Sequence, residues 1–265
     1  MKKIALIGCG ALGSLIARGL KDCLSAHYRL TGVMDAQREN AEKIASAYGA
    51  QLCTSLSELT EDADMVVEAA GGAVVKLYGE DVLRSGRDLV ILSVGALADG
   101  DVKARLERAA EDAGKKIYVV NGALGGLDVM QTMSMMAPTS AVITNVKAPE
   151  SLNGAPYLQG RLLPEDREET VFEGSVADAI KGFPKNVNVA VAAALATQCP
   201  DTKVVITSVP GMKENSHSVH AENGSVVMDI TIASYPDPKN PKSSSSAAWS
   251  VLNLLKNLAS PLFYY

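Results

Sequence analysis

Short apolar runs alternate with segments of helical periodicity through the first half of the chain. Residues 4–7 form a compact apolar run, and Leu12, Leu15, Ile16 and Leu20 then recur at helical spacing. Residues 30–34 predict a second strand, followed by a helix through Ala41, Ile44, Ala45 and Tyr48 that Gly49 stops. Residues 65–69 and 89–92 are further continuous apolar strands, separated by a helical face of Val75, Tyr78, Val82 and Leu83. A polar helix over about 101–113 ends at Gly114, and residues 117–120 close the series. Continuous apolar strands alternating with helices predict an α/β half: a doubly wound parallel sheet covered on both faces.

After Asn121 the pattern changes. A glycine-rich segment, Gly122 to Gly126, precedes a Met-rich helix carrying Met130, Met133, Met135 and Met136, which suits adaptable core packing. Strands are predicted at 141–146, 170–172, 203–207, 217–221 and 226–232, with Asn223-Gly224 as the hairpin turn between the last two. Helices intervene only around 176–182 and 189–197. The reading is a smaller α+β domain with a mixed sheet. Residues 149–169 are expected to form a long exposed loop, and 236–246 a second irregular stretch. Ala248, Val251, Leu252, Leu255 and Leu258 then make an amphipathic helix with serines upstream as N-caps. The expected division is 1–121 with the C-terminal helix 246–265 as a dinucleotide-binding domain, and 122–245 as a substrate and dimerisation domain.

The sharpest motif is Gly8-Cys9-Gly10-Ala11-Leu12-Gly13, which fits G-x-G-x-x-G. It follows a predicted strand and opens a predicted helix. Asp35, at the end of the next strand, lies 22 residues after Gly13, near the spacing of a ribose-binding carboxylate. Gly8 allows the tight turn, Gly10 a close backbone approach to pyrophosphate, and Gly13 close packing of helix on strand. The amides around Ala11 and Leu12, at a helix N-terminus, suit phosphate. This context favours a Rossmann unit over a ligand-free glycine turn. Asp35 favours NAD over NADP, with Arg38 close enough in sequence to offset part of the repulsion of a 2′-phosphate, so that NADP use stays possible. Ligands of such sheets sit beyond the carboxyl ends of the strands. That adds Ala70, Gly71 and Ser93 as cofactor-binding candidates, together with the segment around Ala123.

Composition narrows the partners. The chain has 265 residues, with 25 basic and 30 acidic side chains and a net charge of −5. Without basic clusters, and with only 5% aromatic residues, it lacks the surface of a nucleic-acid binder. Cys9, Cys23, Cys53 and Cys199 show no metal or disulfide spacing. No histidine and carboxylate cluster predicts a metal, and no run is long enough to span a bilayer. Lys2-Lys3 before an apolar run imitates a signal peptide, but Gly8, Gly10 and Gly13 interrupt the run and Arg18 ends it. A cytoplasmic protein is expected.

Three histidines are available for proton transfer, the commonest role of this side chain near neutral pH. His27 reads as a surface residue. His217 and His220 share a strand and point to opposite faces, so at most one belongs to a site.

Several segments together resemble the L-aspartate dehydrogenase family: GCGALG, NGALGGLD at 121–128, VFEGSV at 171–176, FPKNVNVA at 183–190, NSHSV at 215–219 and PKNPKSSS at 238–245. They run in order along almost the whole chain. The resemblance implies NAD(P)-dependent oxidation of L-aspartate to iminoaspartate, which yields oxaloacetate and ammonia, reversibly, and which can feed NAD biosynthesis. It also implies His217 as the catalytic residue, Ala123 and Asn188 as cofactor contacts, His220 as structural, and a homodimer formed through the second domain's sheet. The family pattern carries Asp-Pro several residues before the histidine, where this chain has Val209-Pro210. Two substrate carboxylates call for cations, and Lys185, Lys242 and Arg161 are the candidates. The competing readings are another two-domain Rossmann reductase of a small carboxylate and a non-catalytic NAD-binding sensor.

Overall fold

The computed structural model describes residues 1–184, 187–199, 201–237 and 240–264. The chain divides into two compact units, Met1–Gly122 with the residues from Ala247 onward, and Ala123–Ser246. The first opens with β1 (Lys2–Ile7), α1 (Ala11–Cys23), β2 (Tyr28–Met34), α2 (Arg38–Tyr48), β3 (Gln51–Leu52) and α3 (Leu56–Glu61). It continues with β4 (Met65–Glu68), α4 (Gly72–Arg84), β5 (Asp88–Ile91), α5 (Gly100–Ala113) and β6 (Ile117–Val119). All six strands are parallel, in the order β3-β2-β1-β4-β5-β6. Chain order reverses between β1 and β4, the switch point where such sheets open a crevice. The strands are apolar on both faces because helices cover both: Ile4, Leu6, Val66, Val67 and Val90 are fully buried.

β3 and α3 are additions to the predicted pattern. A two-residue strand carries no periodicity, and α3 has only six residues. Local hydrogen bonds start α3 instead. Ser55 accepts from the Glu58 amide at 3.2 Å, and the Glu58 carboxylate accepts from the Thr54 amide at 2.8 Å.

The second unit contains α6 (Leu127–Met136), β7 (Ser140–Lys147), α7 (Pro149–Leu152), β8 (Glu169–Ser175), α8 (Val176–Gly182) and α9 (Asn188–Thr197). β9 (Lys203–Ser208), β10 (Asn215–Glu222), β11 (Val227–Ser234), β12 (Pro236–Asp237) and β13 (Asn240–Ser244) follow. Five strands form a mixed sheet in the order β11-β10-β7-β9-β8, with β7 and β9 parallel and the other pairs antiparallel. One face is apolar over most of its length. Ala141 and Ile143 of β7, Val204 and Ile206 of β9, and Val219 and Ala221 of β10 join Met130 and Met133 of α6 and Ala190 and Ala193 of α9 in a single core. Asn223 closes the β10–β11 hairpin, its side-chain oxygen accepting from the Ser225 and Val226 amides, with Gly224 at φ 79°.

Two expectations are corrected here. Residues 149–169 are not simply an exposed loop, because Leu152, Leu158 and Leu163 are buried in the second core and α7 lies within the segment. The prolines, glycines and charges around those leucines hid an anchoring role that has no regular period. Residues 236–246 are not irregular throughout, since β12 and β13 pair as a two-stranded ribbon. Its proline- and serine-rich composition has none of the alternation that marks a strand.

The last helix, α10 (Ser246–Ala259), packs in the first unit. Ala248, Val251, Leu252 and Leu255 are buried, and the Tyr28 hydroxyl donates to the Leu255 carbonyl at 2.9 Å. A Cβ at Gly19 would lie 2.1 Å from Leu252 Cδ1, so the missing side chain on α1 is what admits α10.

Candidate active site

In the first unit, the candidates cluster at the carboxyl ends of parallel strands. Gly8 has φ 98°, and a Cβ there would lie 2.5 Å from the Ala69 carbonyl carbon. A Cβ at Gly13 would lie 1.9 Å from the Gly8 carbonyl oxygen, so neither position admits a side chain. Gly10 differs: nothing lies within 4 Å of where its Cβ would stand. That open space lies over the start of α1, whose first turn holds no acidic residue and whose amides have no side-chain cap. The amides following Gly10, those of Ala11 and Leu12 among them, therefore suit an anion, as the phosphates of a dinucleotide require.

Asp35 is positioned by the same loop. Its carboxylate accepts from the Cys9 amide at 2.5 Å and from the Gln37 amide at 2.7 Å, which fixes it at the end of β2 beside the glycine turn. Arg38 is ion-paired with Glu42 at 2.7 Å on the surface of α2. Burial, with Asp35 nearby, pushes the Cys9 thiol up to about 12, so it stays protonated and unreactive.

Sequence reading missed the residue that organises the remaining strand ends. Glu68, the last residue of β4, is 1% exposed. Its Oε1 accepts from the amides of Ala70 (2.8 Å) and Gly71 (2.7 Å) and from the Ser93 hydroxyl (2.9 Å), while Oε2 accepts from the Ser93 amide (3.0 Å). Those four bonds satisfy the buried carboxylate and tie together the loops after β4 and β5. A glutamate in place of an apolar residue in the run 65–69 was the available signal.

In the second unit, the apolar face of the sheet turns polar at one end. The alternation that buries Ala141 and Ile143 also buries Asn145 and Lys147 on β7. On β10 it buries His217 and Asn215 beside Val219 and Ala221. His217 pairs across strands with Asn145, and Lys147 with Ser208 of β9. Ser234, at the end of β11, is the partner of Asn215.

His217 Nδ1 lies 2.6 Å from Asn145 Oδ1. An amide oxygen only accepts, so Nδ1 carries the proton and Nε2 keeps its lone pair. Burial, reinforced by the Lys147 charge, lowers the His217 pKa to about 3, and burial lowers that of Lys147 to about 8. The imidazole is therefore a neutral base at physiological pH. His220 sits on the opposite face, exposed, its pKa held up by the Asp229 carboxylate 2.8 Å away. Val209 donates its amide to the Lys147 carbonyl at 2.9 Å, and Asn145 is the side chain that orients the ring.

Among the described residues, three buried side-chain atoms lack a hydrogen-bond partner: Asn145 Nδ2, Ser208 Oγ and Ser234 Oγ. All three belong to this one end of the sheet. Sequence reading missed Asn145, Lys147 and Ser208, although a lysine and an asparagine on the apolar alternation of a strand were legible signals. Ala123 is partly buried against the second core, and Asn188 is the exposed first residue of α9. Arg161 is half exposed and bound to Glu169 at 2.7 Å. Lys185 lies outside the described residues, as does the side chain of Lys242. Also among the described residues, no cluster fit to hold a metal occurs and no helix is long and apolar enough to cross a membrane.

The sequence agrees with these two halves. Residues 128–258 match the family described as aspartate dehydrogenase, C-terminal, and residues 8–120 match the NAD-binding domain of homoserine dehydrogenase. The L-aspartate dehydrogenase of Methanococcus maripaludis is 37% identical over 264 residues, covering 99% of this chain and 98% of that one. That of Methanocaldococcus jannaschii is 36% identical over 265 residues, with the same coverage. The crystal structure of aspartate dehydrogenase from Thermotoga maritima superposes with a TM-score of 0.80 at 24% identity over all of both chains. GenD2 from gentamicin A biosynthesis, solved with NAD, reaches a TM-score of 0.60 at 12% identity over 99% of this chain and 88% of that chain. These two structures show the fold.

A buried neutral histidine makes stability depend on pH with a fixed sign. Its folded pKa, about 3, lies below the ordinary 6.5. Stability is therefore full above 6.5 and falls as pH drops toward 3, because the unfolded chain takes up a proton that the folded chain refuses. The expected loss is on the order of 1 kcal/mol per pH unit. Thermal unfolding of wild type and His217→Gln between pH 7 and 4 should show a shallower acid limb in the variant.

Proposed function

Because the chain belongs to the L-aspartate dehydrogenase family, we propose that it catalyses reversible NAD(P)-dependent oxidative deamination of L-aspartate, through iminoaspartate, to oxaloacetate and ammonia. The observation that carries the reading is the buried, Asn145-oriented His217 at the polar end of the second unit's sheet. In this reading the first unit holds the dinucleotide. Its phosphates lie over Gly8, Gly10, Ala11, Leu12 and Gly13, with Asp35 on the ribose and Ala70, Gly71 and Ser93 lining the strand ends. Ala123 and Asn188 contribute further cofactor contacts, and the second unit carries the substrate chemistry. A bound nicotinamide supplies the acceptor for the hydride that leaves Cα.

The chain's own contribution is proton management. With the amine neutral, its lone pair assists departure of the hydride and leaves an iminium carbon open to water. His217 Nε2 accepts the proton of the attacking water, since Nδ1 is committed to Asn145. It returns that proton to the departing amine, so ammonia leaves as the carbonyl forms. L-Aspartate, NAD⁺ and water thus give oxaloacetate, ammonium, NADH and a proton. A dianionic substrate also adds negative charge beside the ring, which raises the His217 pKa toward the range where both transfers run near neutral pH.

NAD is the preferred cofactor in this reading, because the Asp35 carboxylate favours a free 2′-hydroxyl and Arg38 is engaged by Glu42. A homodimer working in the cytoplasm, with its product available to NAD biosynthesis, completes the proposal. The test is NADH oxidation with oxaloacetate, with and without ammonia. Turnover that requires ammonia is expected. Turnover without it would indicate a hydroxy-acid enzyme, and NADH binding without turnover a sensor. His217→Ala should lower kcat by about 100- to 10,000-fold with NADH affinity unchanged. Separately, fluorescence titration should give a lower Kd for NADH than for NADPH.

A further inference from the structure

The crevice at the first unit's switch point has two walls, and they are built differently. On the β2 side, the turn after β1 is fixed by its own glycines and by Asp35, and the amides that open α1 have no side-chain cap. On the far side, the amides after β4 and β5 are engaged from beneath by Glu68, whose carboxylate accepts from Ala70, Gly71 and both the hydroxyl and the amide of Ser93. Packing alone does not call for an acid there. The residues paired with Glu68 on the neighbouring strands are Ile7 of β1 and Ile91 of β5, both buried. An apolar residue would complete the row equally well, but it would leave the Ala70, Gly71 and Ser93 amides without this acceptor. The bonds also hold unusual backbone. Gly71 has φ 122°, and nothing lies within 4 Å of where its Cβ would stand. A Cβ at Gly72, the first residue of α4, would lie 3.5 Å from Ala96 Cβ in the turn after β5. Val94, Ala96 and Leu97 of that turn are buried. The two loops therefore form one block, tied by the carboxylate, with open space over Gly71 as over Gly10.

We propose that Glu68 is a positioning residue for the nicotinamide half of the dinucleotide: by tying the loops after β4 and β5 it shapes the wall against which that half lies, while the adenosine half depends on Asp35 and the glycine turn. The inference rests on the reading of the first unit as the dinucleotide site. Phosphates need donors, and the uncapped amides stand at the start of α1. Asp35, at the end of β2, takes the ribose on one side of β1, so the other half of the cofactor falls on the opposite side, over β4 and β5. There Glu68 already occupies the amides of Ala70, Gly71 and Ser93, which suits a group that carries no phosphate. Glu68 touches no ligand in this arrangement. It acts through the loops, by fixing them before the cofactor arrives.

The test compares the Kd of NADH, by fluorescence, with that of ADP, by calorimetry, in wild type, Glu68→Gln and Glu68→Asp, with thermal unfolding alongside. Glutamine keeps the size of the side chain but turns one acceptor oxygen into a donor nitrogen, which then faces a donor and releases a loop. Aspartate keeps the charge but is one methylene too short to reach both loops, and it carries the comparison if Glu68→Gln does not fold. ADP binds through the adenosine ribose and the phosphates alone. The expected result is NADH binding at least about 10-fold weaker in each variant, with ADP affinity within about twofold of wild type. A brace that serves stability alone would lower Tm and leave both affinities unchanged, or would weaken both ligands together. Either result overturns the proposal. A wild type that binds neither ligand removes the dinucleotide reading, and the proposal with it. Selective loss of NADH in a protein that does not turn over L-aspartate upholds the role of Glu68, and the aspartate reading alone falls.

Discussion

The hydrogen bond between His217 and Asn145 is the constraint on which the chemistry proposed for the second unit depends. It joins β7 and β10 across a face that is otherwise apolar, at a site nearly sealed from water. Burial alone would leave the ring neutral without deciding which nitrogen is protonated. The amide oxygen decides it, and the exposed alternative, His220, has no comparable environment: Asp229 pulls it toward the cationic form in open solvent. Two histidines three residues apart thus have their pKa values moved in opposite directions on opposite faces of one strand. Around this pair, the fold leaves donors unanswered, a cost that a structure built only for packing would have removed by placing apolar side chains there.

The first unit solves a different problem with backbone. Its parallel sheet brings the loops after β1, β2, β4 and β5 to one edge, and two glycines close the first of these so tightly that a single Cβ would collide with main chain. Glu68 then braces the next two loops from beneath. The surface proposed to hold the dinucleotide's phosphates is therefore made largely of amides held by neighbours, an arrangement that needs little reorganisation to meet an anion. The acidic chain as a whole, at −5, attracts neither phosphates nor carboxylates, so attraction has to be local. In the first unit, the uncapped amides at the start of α1 are the local source of attraction in the proposed reading.

Much of this was legible in the sequence, and for stated reasons. Continuous apolar strands alternating with helices announced the parallel sheet, and G-x-G-x-x-G announced the NAD-binding domain that residues 8–120 match. The mixed sheet of the second unit followed from strands with few helices between them. What stayed hidden lacked a period or a neighbour in sequence. Leu152, Leu158 and Leu163 plug the core from a segment rich in charge and proline. β12 and β13 pair through composition that resembles linker. Asn145 meets His217 only through pairing of strands 72 residues apart, and Ser208 reaches Lys147 only through the β7–β9 pair; pairing register is not written in any one strand. One clue was present: an asparagine and a lysine fall on the apolar alternation of β7.

The account stands on a neutral, Nδ1-protonated imidazole held in place before substrate arrives. Nitrogen-15 NMR of the His217 ring, assigned by comparison with His217→Gln and followed from pH 8 to pH 4, measures that directly. The account predicts a protonated Nδ1 and an unprotonated Nε2 throughout that range, with no titration near 6.5. A His217 ring that titrates near 6.5, or that carries its proton on Nε2 when neutral, would contradict it.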